Sequence, residues 1–221
     1  MKISIIIPTW NEGKTLYGTL EDLYVRQNPD EVVVVDGGST DQTLNIAREW
    51  TQVLVSPKGR AKQMNTGAQH AAGDIFLFLH ADTRLPERGL LKIKEAMRHG
   101  HLAGRFTIRF DDSHWLLRFF SMYTRFQCFS YGDQGFFVRR DIFNFLGGFR
   151  EDVPFEDIDF YKRLCTVTKP VILKDPVTTS ARRFLEVGRM RQKWLNLFLV
   201  ALYYAGFNVE RLKHKLYPDI R

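Results

Sequence analysis

Three short polar clusters each follow directly on an apolar run. Pro8-Thr9-Trp10-Asn11-Glu12 follows Ile3–Ile7, Asp36-Gly37-Gly38-Ser39-Thr40-Asp41 follows Val32–Val35, and His80-Ala81-Asp82 follows Ile75–Leu79. Carboxylates, hydroxyls and an imidazole are the groups that bind ribose and cation-carrying phosphates. One such cluster alone is ordinary turn chemistry. Three of them behind separate strands of one sheet converge on one rim, and open α/β sheets bind ligands beyond the carboxyl ends of their strands. Asp36 follows four valines and precedes two glycines. Its carboxylate can accept hydrogen bonds from a base or ribose, and the glycines let a ligand approach the backbone. The plainer reading makes Gly37 and Gly38 a turn and Ser39 or Thr40 a helix cap, and the two readings are compatible.

A second acidic group, Glu156-Asp157-Ile158-Asp159, stands just beyond Pro154. A carboxylate there can serve as a general base, although acidic residues also favour the first turn of any helix. Asp133, within Tyr131-Gly132-Asp133-Gln134-Gly135, reads either as a ligand-binding carboxylate or as part of a turn. The dinucleotide fingerprint is missing, because the turn after the first strand is not glycine-rich, and no GxxxxGK[ST] phosphate loop occurs.

The elements that must position these groups alternate. Ile3–Ile7, Val32–Val35, Val53–Val55 and Ile75–Leu79 read as strands, the longer runs being apolar enough for burial on both faces. Helical spacing joins Leu16, Leu20, Leu23 and Tyr24, and further helices are expected over 42–50 and 61–72. This rhythm predicts a parallel sheet with helices on both faces. After Gly104 it changes. Residues 105–110 alternate like a half-exposed strand, and 113–130 place Trp115, Phe119, Met122 and Phe126 on one helical face. A strand is expected over 134–138, a helix over 155–164 and a last long helix from about Glu186. The organisation expected is one domain, 1–221, with a ligand-binding half at 1–104, an acceptor and catalytic half at 105–185 and a helical tail at 186–221.

The net charge of +7 is uneven: from Arg182 onward nine Lys/Arg face three Asp/Glu, which accounts for six of the seven charges. A basic tail suits an anionic membrane surface or phosphates, or is simply a solvated face. Because the excess is confined to the tail, nucleic acid is not expected as a partner. Trp194–Phe207 is apolar apart from Asn196, too short to span a bilayer, and so expected to be buried in protein or in a bilayer surface. Val209, Leu212 and Leu216 continue the spacing beside Arg211, Lys213 and Lys215, as in a basic amphipathic helix. Cys128 and Cys165 have no metal-ligand spacing and read as buried free thiols in a reducing cytosol. The N-terminal apolar run is too short for a signal peptide. The expected location is the cytoplasm, with peripheral attachment to the inner face of the membrane left open, as is oligomerisation.

In order, the clusters above, together with Asn65-Thr66-Gly67, Gly73-Asp74-Ile75 and Glu156-Asp157, resemble glycosyltransferase family 2 over about residues 1–165. The resemblance is strongest to a compact bacterial branch with LHADT (Leu79–Thr83) and TSARR (Thr179–Arg183) segments. It implies a GT-A fold, Rossmann-like and mostly parallel, and an inverting transfer of sugar from a nucleotide-diphosphate donor, usually UDP-linked. The acceptor, whether lipid, saccharide or small molecule, is left open. Pro8, Thr9, Asn11, Glu12, Asp36, Arg60, Asn65, Ala81 and Asp82 would hold the nucleotide. Asp82 matches the last carboxylate of the family's DxD motif and would carry Mg²⁺ or Mn²⁺ on the diphosphate; His80 replaces the first and either ligates or only hydrogen-bonds. Asp157 would be the base, with Glu156 and Asp159 as neighbouring alternatives and Asp133 and Glu156 available to sugar or acceptor. The family's QxxRW motif is broken: Met190–Trp194 keeps the tryptophan and a basic Lys193 but neither Gln nor Arg. That departure speaks against processive synthesis. A nucleotidyltransferase and a non-catalytic nucleotide-sugar-binding module are the rival functions.

Overall fold

A computed structural model describes residues 1–126, 132–207, 209, 212 and 216. Its framework is one eight-stranded sheet. Strands β1 (Ile3–Thr9), β2 (Glu31–Asp36), β3 (Val53–Val55) and β4 (Ile75–Phe78) run parallel in the order β3-β2-β1-β4. Helices α1 (Gly13–Asp22, prolonged by a wider turn to Gln27), α2 (Thr43–Trp50) and α3 (Arg60–His70) connect them.

The uninterrupted apolar runs are explained by two cores, one on each face. Ile3, Ile5, Ile7, Val32, Val34, Ile75 and Leu77 pack with Leu16, Leu20 and Ala47 of α1 and α2. The alternate residues, Ile6, Val33, Val35, Phe76 and Phe78, pack with Ala61, Met64 and Ala68 of α3. Period-two alternation thus feeds both layers. Helix α3 approaches the sheet so closely that a Cβ on Gly67 would lie 2.5 Å from Ile6 Cγ2. This is the physical use of the glycine in Asn65-Thr66-Gly67.

Beyond β4 come a two-residue strand β5 (Thr83–Arg84), α4 (Gly89–Arg98), β6 (Ala103–Phe110) and α5 (Trp115–Met122). They are followed by β7 (Phe136–Arg139), α6 (Arg140–Phe145), α7 (Glu156–Cys165) and β8 (Val171–Thr179). Helices α8 (Arg182–Val187) and α9 (Arg189–Tyr204) close the described chain. The sheet continues from β4 through antiparallel β7 to β6, then parallel β8 and antiparallel β5, so it does not break near residue 104.

Several expectations are corrected. Strand β6 is buried rather than half exposed. Its Arg105 is fully buried and donates to the carbonyls of Thr124 (2.7 Å) and Phe126 (2.8 Å), beyond the end of α5. The helix expected over 113–130 is shorter, and its aromatic face of Trp115, Phe119, Met122 and Phe126 is exposed. Cys165 is exposed at the end of α7, whereas Cys128 lies outside the described residues. The terminal helix is broken by Gly188, whose φ of +98° separates α8 from α9. Helix α9 is two-faced: Leu199 is buried with Phe155, Ile158 and Val209, while Trp194, Leu197 and Phe198 are exposed. Val209 therefore packs into the protein; Arg211, Lys213 and Lys215 lie outside the described residues. No helix among the described residues is long and apolar enough to cross a membrane.

Candidate active site

The polar clusters behind β1, β2 and β4 meet at the carboxyl edge of the sheet. Thr9 and Asp36 are register partners at the ends of β1 and β2. The loops beyond them are laced together. Asn11, with φ of +54°, donates its backbone N–H to Ser39 Oγ at 2.8 Å and accepts the Thr40 N–H on Oδ1 at 2.8 Å. The Glu12 N–H reaches Thr43 Oγ1 at 2.8 Å, and the Gly13 N–H reaches Asp41 Oδ2 at 3.0 Å. Gln63 of α3, buried, donates to the carbonyls of Thr9 (2.6 Å) and Val35 (2.9 Å), fixing both strand ends. Pro8 lies opposite Val35 in the same ladder.

Asp36 is buried, and its carboxylate organises its own loop. Oδ2 accepts the N–H groups of Gly38 (2.8 Å) and Ser39 (2.7 Å), and Oδ1 accepts the hydroxyls of Ser39 (2.5 Å) and Thr9 (3.3 Å). Ser39 is therefore not a helix cap; α2 begins at Thr43, next to Asp41, which accepts its N–H at 3.0 Å.

Asp82 lies just before β5. The carbonyl of Ala81 accepts the Thr19 hydroxyl at 2.8 Å, and the His80 carbonyl accepts the Thr83 N–H at 3.1 Å. Strand β5 pairs with the end of β8, where the Thr83 and Thr179 hydroxyls meet at 3.1 Å. The LHADT and TSARR segments are thus neighbours in space. From the second, Arg182 bridges two carboxylates: its Nη2 is 2.7 Å from Glu12 Oε2 and 3.5 Å from Asp82 Oδ2. Burial raises the Asp82 pKa above the ordinary value; Arg182 opposes that shift and Glu12 adds to it.

A second cluster forms at the start of α7. Arg60, first residue of α3, pairs with Glu156 and lies 3.7 Å from Asp157 Oδ2. Burial works against its charge, but Glu156 and Asp157 outweigh this and hold its pKa above the ordinary value. Asp157 Oδ1 accepts the Ile158 N–H at 2.9 Å. Asp133 stands between the clusters electrostatically. Burial, then the charges of Asp82 and Asp157, push its pKa up to about 6. Its Oδ1 is buried without a hydrogen-bond partner among the described residues.

Two expected residues have partners within the protein. Asn65 donates to the Phe149 carbonyl and accepts the Phe149 N–H, both at 2.9 Å, because an amide side chain matches both backbone groups. Asp159 pairs with Arg163 one turn on, at 2.8 Å, and Arg163 continues to the carbonyls of Leu146 and Gly148. Arg182 and Gln63 were assigned no role from sequence. The TSARR segment was a visible signal for the first; Gln63 had none.

Among the described residues no group of three or more His, Cys, Asp or Glu side chains could by itself hold a metal ion. One carboxylate, Asp82, beside a half-buried His80 is nevertheless a donor set that fits Mg²⁺ or Mn²⁺ when phosphate oxygens complete the sphere.

A family model, Glycosyl transferase family 2, matches residues 4–151. The chain is 27% identical over 200 residues to a probable glycosyltransferase, YdaM, of Bacillus subtilis, covering 74% of this chain and 46% of that protein. It is 33% identical over 113 residues to a dolichol-phosphate mannosyltransferase of Pyrococcus furiosus, covering 45% of this chain and 31% of that one. The chain thus spans less than half the length of these curated relatives. Among solved structures it resembles S. aureus TarS 1-349 in complex with UDP-GlcNAc, with a TM-score of 0.66 at 23% identity, covering 81% of this chain and 58% of that one. It also resembles the mannosyltransferase PcManGT of Pyrobaculum calidifontis, in complex with GDP-Man and Mn²⁺, with a TM-score of 0.64 at 24% identity, covering 81% and 56%. The architecture is that of the GT-A glycosyltransferases.

Proposed function

Since the chain belongs to glycosyl transferase family 2, we propose that it transfers a sugar, with inversion, from a nucleotide-diphosphate donor, UDP-linked, to an acceptor hydroxyl. The observation that carries this reading is the pairing of two arginines with four carboxylates on one sheet edge. Arg182 spans Glu12 and Asp82, Arg60 spans Glu156 and Asp157, and the raised carboxyl of Asp133 senses both clusters.

The nucleoside is assigned to the laced loops of Pro8, Thr9, Asn11, Glu12 and Asp36, with Arg60, Asn65 and Ala81 completing the nucleotide's surroundings. The diphosphate is assigned to Asp82, His80 and Arg182. A bound Mg²⁺ or Mn²⁺ supplies positive charge to the leaving diphosphate. The guanidinium of Arg182 is near enough to Asp82 to add its own. Such a diphosphate would also compete with Asp157 for Arg60.

In the displacement the acceptor oxygen bonds to the anomeric carbon as that carbon's bond to the diphosphate oxygen breaks. The electron pair leaves with the diphosphate, and the hydroxyl proton passes to the Asp157 carboxylate. Glu156 is held by Arg60, and Asp159 is held by Arg163. A second reading makes Asp133 the base. Its unpartnered Oδ1 and its pKa of about 6 favour it, since a base works best near the operating pH. If Asp157 is the base, Asp133 is assigned to a sugar or acceptor hydroxyl.

The closeness of LHADT to TSARR supports the branch assignment, as both segments then serve one site. The test is a screen of nucleotide sugars by hydrolysis and thermal shift, with Mg²⁺ and with Mn²⁺. Stabilisation and turnover by a UDP-sugar are expected. Turnover of nucleoside triphosphates alone would identify a nucleotidyltransferase, and stabilisation without turnover on any acceptor a binding module.

A further inference from the structure

Helices α5 and α9 lie side by side. Lys193 of α9 sits over the rings of Phe120 (5.0 Å) and Tyr123 (5.8 Å), and Arg189 Nη2 bonds Asp112 Oδ2 at 2.7 Å, just ahead of α5. Each helix turns an apolar stripe to solvent. On α5 and the turn after it these are Trp115, Phe119, Met122 and Phe126; on α9 they are Met190, Trp194, Leu197 and Phe198. Trp115 is 69% exposed and Trp194 65%. Scattered exposed apolar residues are ordinary, but contiguous aromatic stripes mark an interaction surface.

The charges around the stripes identify the partner. Neither 115–126 nor 189–207 contains an acidic residue, and their exposed cations are Arg118, Arg125 and Arg191; Arg189 is engaged by Asp112 and Lys193 by the rings. A second copy docked symmetrically through this face would set these cations against one another. Exposed Trp and Phe flanked by Arg and Lys are instead the makeup of helices lying in a membrane interface. There the rings enter the headgroup boundary and the cations meet anionic lipid.

We propose that the paired faces of α5 and α9 dock this protein on an anionic bilayer surface. The surface is carried by these two helices, and Val209 beyond them packs into the protein. Docking is a property of the folded surface and does not depend on sugar transfer.

The test is flotation of the full chain with vesicles of phosphatidylcholine alone and with about one third phosphatidylglycerol, at low and physiological salt. The mixed vesicles are expected to bind the protein at least about tenfold more strongly, with loss at high salt. Trp emission should shift to the blue and resist acrylamide quenching, a readout that needs no variant. Replacing Trp115, Phe119, Trp194 and Phe198 by Ser should lower binding by at least about tenfold while UDP affinity is kept. No binding to mixed vesicles at low salt, or equal binding by the variant, overturns the proposal. So does a wild-type dimer in solution that the same substitutions dissolve.

Discussion

Replacing Asp133 by Asn should make the protein more stable at neutral pH and less active. Burial and the charges of Asp82 and Asp157 lift this carboxyl from 3.8 to about 6. A folded state that binds a proton more tightly than the unfolded chain loses stability as pH rises between those two values, and above about 6 it bears the full cost. At about 1.4 kcal/mol per unit the cost is roughly 3 kcal/mol, and about 2–3 kcal/mol once the group's partial contact with water is allowed for. Asn keeps the shape and cannot ionise. In a chain of this size each kcal/mol moves Tm by about 2–4 °C, so the gain should be about 5–10 °C. Calorimetry in EDTA should find it near pH ~7.5 and find only about a fifth of it near pH ~4, where the folded carboxyl is protonated and the unfolded one is partly ionised. A gain of equal size at both pH values, or none at the higher, would refute the reasoning. Loss of sugar transfer alongside the gain in stability is the behaviour of a strained functional group.

Asp157→Asn should lower transfer by about 10²–10⁴-fold with donor affinity kept; transfer near the wild-type rate in a coupled UDP-release assay moves the base to Asp133. Asp82→Ala should uncouple UDP binding from the divalent ion, so calorimetric titrations with and without Mn²⁺ should coincide; a metal dependence like the wild type's rejects the assignment. Asn65→Ala strips both hydrogen bonds from the Phe149 backbone and should cost about 1–3 kcal/mol in urea unfolding. An unchanged midpoint would mean that water replaces the amide.

The nucleotide half was legible because β1, β2 and β4 are buried on both faces. Such strands read as unbroken apolar runs that end abruptly where the chain reaches the polar rim. Strand β8 was not anticipated, since Lys174-Asp175-Pro176 interrupts it. The structure absorbs the interruption as an irregularity: Phe106 pairs with Leu173 but Thr107 pairs with Pro176. Strand β6 looked half exposed because Arg105 and Thr107 alternate with apolar residues, yet both are buried. Arg105 bonds the carbonyls of Thr124 and Phe126, and the Thr107 hydroxyl bonds the Lys174 carbonyl at 2.9 Å. Neither partner has a local signature. The same holds for Arg182, whose contact with Glu12 joins residues 170 apart. Helical periodicity showed that Trp115, Phe119 and Met122 share a face, but periodicity carries no information on what lies against it.

The arginine pairs bear on how an anionic donor is admitted. Glu12, Asp82, Asp133, Glu156 and Asp157 place five carboxylates around the site, and Arg60 and Arg182 pair with four of them. Arg183 and Lys193 act at longer range, on Asp82 and Asp133. A diphosphate brought to this rim meets carboxylates together with the arginines that pair with them. A divalent ion held by Asp82 would add two charges there, where the arginine contact is the longer one at 3.5 Å, and Arg182 would then be able to turn from Glu12 to phosphate. That exchange is the part metal assistance would play in the proposed transfer. Both arginines would then share one behaviour, pairing with carboxylates as they do here and with phosphate once the proposed donor binds.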